Sequence, residues 1–504
     1  MVSRLKQLDY KWLVAIVFMF GLFMDLLDST AVNVAVPRLQ ADFHNAPLST
    51  VEWTVTGYLL SLALFIPGAG FISDRFGTKR TFLTAMAIFV AGSALCGQAR
   101  SINELIAFRF LQGVVGGMMT PVSTAILSRE FPGEERAKAS ALISVPVIFA
   151  PIMGPVLGGY LVEYTSWRWI FYINLPVGIA GFMLGLKVLR EHKEPYAQGR
   201  FDVFGLLTGG VGAAMILYAL SEAATKSWGS VNVAAPGLGG LALLFVFTLI
   251  EFNVSPPILD LRLFKQGLFA LGTVITVWSF ASYAGFIFSL TLFLQNLQGH
   301  SPLEAGLIQA PSAAGTAVAL LLAGSYYARI GPRRMLTGGF FFAAVTLVPF
   351  AFVTKSTIPL LIIIPLIFRG LTTPFAMTAA QTIVYGPLDN SKQGPASSIY
   401  NTMRQVAASF GVALLATVQV NRYTTHLSDA VSAAHGGPAT DAMIEHAKVM
   451  GYHDAFVLSG VLLLVSAAMS LLVSDRKARE AMLRRARVPS RAEAAAKPAA
   501  ATGD

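Results

Sequence analysis

Two carboxylates three residues apart, Asp25 and Asp28, stand inside an apolar run that extends from about residue 13 to 36. A charged side chain within a bilayer is costly, so such acids line a water-filled cavity, take a partner or carry protons. The spacing puts both on one face of a helix. Burial disfavours the charged form of a carboxylate, and a neighbouring acid disfavours it further, so the pair suits proton binding from one side and release to the other. Arg109 lies several residues inside another apolar run, where its guanidinium must face a cavity or a carboxylate. It could hold an acid charged in one conformation and release it in another. A permanent clamp with Gln112, or a carboxylate that caps a broken helix, uses the same residue types, and chain distance alone does not pair Arg109 with Asp28.

The elements that carry these groups are membrane helices. A bilayer core of roughly 30 Å takes about 20 helical residues to cross. At that window the sequence divides into fourteen apolar segments, near residues 13–36, 51–73, 81–98, 104–128, 138–162, 168–189, 203–220, 234–252, 268–294, 303–328, 334–353, 358–385, 395–420 and 455–473. Composition agrees: 55% of residues are hydrophobic and 13% charged, against about 25% charged in a soluble domain.

Lys and Arg set orientation, and Asp and Glu contribute little. Numbered alternately, the odd loops hold only Arg38, Arg100, Arg168, Lys226, Lys355, Arg422 and Lys448 of the 37 basic residues, and most of the rest lie in the termini and even loops. Both termini are therefore expected in the cytoplasm. The net charge of +10 belongs to this inner face and does not call for nucleic acid. The first apolar segment exceeds the 7 to 15 residues of a signal-peptide core and no small-residue cleavage site follows, so it reads as a true span. The single Cys96 excludes an intramolecular disulfide, the seven His lack zinc spacing, and nothing specifies a cofactor. No Gly-x-x-x-x-Gly-Lys loop is present to cradle a nucleotide.

An internal repeat organises the spans. Gly70-Phe71-Ile72-Ser73-Asp74-Arg75-Phe76-Gly77-Thr78-Lys79-Arg80, between spans 2 and 3, returns as Gly324-Ser325-Tyr326-Tyr327-Ala328-Arg329-Ile330-Gly331-Pro332-Arg333-Arg334 between spans 10 and 11. Phe108-Arg109 in span 4 returns as Phe368-Arg369 in span 12. Each copy lies eight spans after the first, as expected of a duplicated six-span unit with two spans inserted. The expected organisation is an N-terminal bundle at 1–190, a linker with the inserted spans at 191–263, a C-terminal bundle at 264–474 and a basic, disordered cytoplasmic tail at 475–504.

These motifs resemble those of the major facilitator superfamily, and specifically its 14-span drug:proton antiporters. The resemblance runs from residue 12 to about 474. Beyond the repeated loop it rests on Leu27-Asp28 through Asn33 to Pro37, Arg109 to Gly113, Ala150 to Gly159, Trp167 to Pro176 and Asn401 to Gln405. It implies an all-α, polytopic major facilitator fold of two six-helix bundles plus two inserted helices. It also implies proton coupling through Asp28, with Arg109 in proton transfer. Asp25 is an extra acid outside the family motif.

The remaining motifs take physical roles within that scheme. Gly154, Pro155, Gly158 and Gly159 combine a proline kink with close helix approach, which suits a rocking interface and, by resemblance, export. Gly70, Asp74, Arg75, Gly77 and Arg80 read as a gate: Gly77 permits a tight turn, and Asp74 can accept from the next helix's amides or pair with a basic residue. Trp167 and Trp169 read as interfacial anchors. Tyr58, Gln112, Gln295, Asn296, Gln381, Asn401, Arg404 and Gln405 are polar groups within apolar spans that could line a substrate cavity or join helices. The expected function is proton-coupled antiport of amphipathic drugs or other toxic compounds out across the inner membrane. A proton symporter importing a small metabolite shares the fold and is the alternative. Some of the resembled exporters work with a separate periplasmic adaptor, and no segment here specifies one.

Overall fold

The computed structural model describes residues 10–131, 135–192, 201–255, 257–389, 392–434 and 438–476. The expected tail beyond Arg476 lies outside them. Within them the chain is helical, because backbone amides and carbonyls in lipid must be satisfied internally. Thirteen helices there are long and apolar enough to cross a membrane.

The principal helices are α1 (Tyr10–Asp42), α2 (Trp53–Phe65), α3 (Thr78–Gln98), α4 (Ile102–Glu130), α5 (Glu135–Tyr164), α6 (Asn174–Val188), α7 (Val203–Glu222) and α8 (Val231–Asn253). Then follow α9 (Gly267–Leu292), α10 (Pro311–Ile330), α11 (Pro332–Val345), α12 (Pro359–Tyr385), α13 (Gln393–Ala433) and α14 (Asp441–Ser470). They fall on the expected segments, including those near 203, 234 and 358. Proline decides where several break. Pro302 opens a short helix, Pro302–Gln309, and Pro311 restarts the chain as α10, so that crossing is bent at Ala310.

The same pairings recur eight helices apart. Helix α1 packs on α5 and α9 on α13; α2 packs on α4 and α10 on α12; α3 packs on α6 and α11 on α14. Small residues make the approaches close. A Cβ on Gly154 would stand 2.0 Å from Thr30 Oγ1, and one on Gly411 would stand 2.0 Å from the Ala281 carbonyl oxygen. Helices α7 and α8 pack on each other through Gly212 and Gly240. They join the rest through Ser221 Oγ, which donates to Glu52 Oε1 and the Ser49 carbonyl, both at 2.8 Å.

The two sets of six meet along two seams. Along α2 and α13, Thr402 Oγ1 donates to the Ala63 carbonyl at 3.3 Å and Ser409 Oγ to the Thr56 carbonyl at 2.9 Å. Along α5 and Pro302–Gln309 the backbones nearly touch: a Cβ on Gly159 would stand 2.4 Å from the Pro302 carbonyl oxygen, and one on Gly306 would stand 2.3 Å from that of Pro155. Leu303 N donates to Glu163 Oε2 at 3.1 Å at the same end. The bundle is thus closed at the end away from the Gly70 to Arg80 loop.

A side chain at Gly159 meets backbone that cannot yield, so Gly159→Leu is expected to part this end. Spin labels on Tyr164→Cys and His300→Cys should report a longer distance in that variant. An unchanged distance distribution would show that the contact does not hold the end shut.

Candidate functional site

Asp28 of the first span and Arg109 of the fourth come together in one sealed cluster. Asp28 and Arg109 are fully buried and form an ion pair through Asp28 Oδ2 and Arg109 Nη1. The guanidinium also donates from Nη1 to Gln112 Oε1 at 2.8 Å and from Nε to the Thr54 carbonyl at 2.9 Å. On the other carboxylate oxygen, Asn174 Nδ2 donates at 2.9 Å. Ser93 Oγ accepts from Gln112 at 2.7 Å and from Asn174 at 3.0 Å, closing a network drawn from α1, α3, α4 and α6. A buried ion pair is tolerated only with such extra hydrogen bonds around it.

Asp25, one turn earlier on α1, faces outward from this cluster into a cavity of about 1120 Å³ between the two halves. Tyr58 connects the two environments. Its hydroxyl donates to Asp25 Oδ1, and its ring lies 4.0 Å beneath the Arg109 guanidinium. A hydrogen bond, a cation–π contact and an ion pair thus link the cavity through Asp25 and Tyr58 to Arg109 and Asp28.

The cavity reaches the end that carries the Gly70 to Arg80 loop, where Gly70, Asp74, Thr124, Asp202, Asp260 and Gln393 line it. Asn401, Arg404 and Gln405 of α13 line it deeper in, as expected. The other expected cavity residues stand elsewhere. Tyr58 and Gln112 belong to the sealed cluster. Gln295 donates across the closed end to the Val34 carbonyl at 3.0 Å, and Asn296 and Gln381 are exposed outside the lining. Each sits on a different helix face from the one the cavity touches. Asn33 joins the lining, and its buried Oδ1 has no partner among the described residues. Trp169 is exposed, but Trp167 is buried and donates to Asp42 Oδ2 at 2.9 Å, so it locks α1 to the start of span 6 and is not an interfacial anchor.

The gate motif is built differently from expectation. Gly77 has φ of +100° and turns the chain tightly into α3. Asp74 is expected to accept from the α3 amides or to pair with a basic residue; the amides of Lys79 and Arg80 are taken by Glu191, which follows α6. Lys79 N donates to its Oε1 at 3.1 Å and Arg80 N to its Oε2 at 3.2 Å. The Arg80 guanidinium approaches the same carboxylate at 3.7 Å, while Arg75 is exposed. Asp74 itself faces the cavity. The second copy repeats the device: Gly331 has φ of +87°, and Arg333 N donates to Asp475 Oδ1 at 2.9 Å. In each half a carboxylate following the last helix caps the N-terminus of the third, which complements the helix dipole. Of the rocking motif, Gly154 and Gly158 pack on α1 and Gly159 on Pro302 and Leu303, with the Pro155 carbonyl against Gly306.

This fold and site define a membrane transporter, not an enzyme. The model of the Major Facilitator Superfamily matches residues 18–412, and the chain belongs to that family. It is 34% identical over 397 residues to the multidrug resistance protein B homolog of Mycobacterium tuberculosis (strain H37Rv), covering 78% of this chain and 73% of that one. It is 31% identical over 472 residues to MdtD of Yersinia enterocolitica, covering 92% and 94%. Among solved structures, a bacterial homolog of the human lysosomal transporter Spinster superposes with a TM-score of 0.65 at 16% identity, over 94% of this chain and 98% of that one. A D-xylose-proton symporter gives 0.64 at 16% identity, over 93% and 99%.

Removing one partner of a buried pair leaves the other uncompensated, at a cost of about 3 to 5 kcal/mol. Asp28→Asn alone is therefore expected to lower the melting temperature more than Asp28→Asn with Arg109→Gln; equal losses would mean the pair is not coupled. At the gate, Glu191→Ala should speed hydrogen exchange at the Lys79 and Arg80 amides and leave Arg333 protected. Asp475→Ala should do the reverse, and exchange unaltered in both variants would remove the caps from the design.

Proposed function

We propose that this chain is a proton-coupled antiporter of the cytoplasmic membrane that exports amphipathic drugs or other toxic small molecules by alternating access. The single observation that carries the reading is the position of Asp25: it lines the cavity and is tied through Tyr58 to the sealed Arg109 and Asp28 pair. With the basic loops on the cytoplasmic side, the open end faces inward, so cargo enters the cavity from the cytoplasm. The relative's name, multidrug resistance protein B homolog, supports export.

The proposed cycle uses the two acids in sequence. An amphipathic cargo displaces the proton on Asp25, and a cationic cargo takes its place as counter-charge. The loss of that proton is felt at Arg109 through the Tyr58 ring and hydroxyl. When the closed end opens outward, protons reach the acids, Asp28 exchanges its guanidinium partner for a proton, and the cargo leaves; on return to the inward-open form Asp28 gives that proton to the cytoplasm and takes back Arg109, while Asp25 keeps its own until the next cargo arrives. A proton moving inward under 100 mV supplies about 2.3 kcal/mol.

Purified protein in sealed vesicles tests this. Cargo accumulation on the outer-face side should require a pH difference or membrane potential, and Asp28→Asn should abolish driven transport while the protein remains inserted. Asp25→Asn should weaken cationic cargo more than neutral cargo. Transport of equal rate with and without a proton gradient would overturn proton coupling, and cargo accumulation on the cytoplasmic-face side would favour a symporter.

A further inference from the structure

Arg369 is the copy of Arg109 in the second half, yet it lacks what Arg109 has. It is 3% exposed, and none of its Nε, Nη1 and Nη2 atoms finds an acceptor among the described residues. Its guanidinium lies 4.0 Å over the Phe286 ring and 5.9 Å from that of Tyr283. Arg109 likewise lies over an aromatic ring but also has a carboxylate, an amide and a carbonyl. The second half repeats the cation and sets it over a ring from a different helix, α9, but has no anion beside it among the described residues.

A guanidinium stays charged at physiological pH, and a ring face meets only part of its need when water is excluded. The other unpartnered groups on the same faces have the matching chemistry. Thr373, one turn on from Arg369 along α12, carries a buried hydroxyl without a partner among the described residues, as does Ser289, one turn on from Phe286 along α9. All can donate hydrogen bonds. Tyr283, whose ring lies 5.9 Å from the guanidinium, itself lines the cavity, so the cavity comes within one side chain of Arg369.

We infer that Arg369, Thr373 and Ser289 form a binding site for a compact monoanion drawn from solution, either chloride or the carboxylate of a small organic acid. The site is independent of the proton coupling proposed above. It would complete the second half electrically, as Asp28 completes the first.

Thermal unfolding of the full chain in lipid nanodiscs tests this, with the bulky sulfonate sodium 2-(N-morpholino)ethanesulfonate replaced by sodium chloride at constant ionic strength. The melting temperature should rise saturably with chloride. Arg369→Gln should abolish the rise, while Asp28→Asn should keep it. Thr373→Val retains the charge and covers the case in which Arg369→Gln fails to fold; it should weaken the chloride response roughly tenfold in half-saturating concentration. A matching rise with sodium acetate assigns the site to carboxylates, and a rise with chloride alone assigns it to the inorganic ion. Equal melting in the bulky sulfonate, chloride and acetate, or a chloride response undiminished in both Arg369→Gln and Thr373→Val, would overturn the assignment.

Discussion

The buried pair of Arg109 and Asp28 sets the terms for the N-terminal half. Neither charge could stand alone in the bundle, so the surrounding helices supply what the pair needs: Gln112 from α4, Asn174 from α6, Ser93 from α3 and the Thr54 carbonyl from α2. Five helices are thereby held in one register around a single charge pair. In the proposed cycle that network would move as one body, and prolines inside α5 and at the break before α10 offer places to bend.

In the proposed cycle the cavity turns this stability into coupling. Asp25 is one turn from Asp28 but in a different environment, with a wet side and a sealed side joined by Tyr58. On the proposed reading, a change of charge at Asp25 would be felt by a pair whose stability depends on local charge balance. The closed end opposes the open one with backbone contacts at Gly159 and Gly306, which the proposed cycle would have to part.

Much of this was legible in the sequence. The apolar segments became helices because lipid leaves the backbone no other solution, and the duplicated loop and Phe-Arg pairs foretold pairings that recur eight helices apart. Asp25, Asp28 and Arg109 stood out because charge within apolar segments needs a reason. Which polar residues line the cavity was not legible: Gln112, Gln295 and Gln405 have the same character, and only packing decides which face each occupies. Glu191 and Asp475 escaped notice because a carboxylate in a polar loop looks ordinary; the cue was their shared place after the last helix of each half. Trp167 was misread because aromatic rings near span ends favour the interface, and a specific acceptor, Asp42, outweighed that tendency.

The most direct test of the central claim, that cargo and protons compete through the first helix, is the proton balance of binding itself. Cargo added to purified protein in weakly buffered solution should release protons in proportion to the amount bound, and the release should vanish when Asp25 and Asp28 are both changed to Asn. Saturable binding with no proton release at any pH between 5 and 8, the range about which an acid displaced by cargo must work, would contradict it.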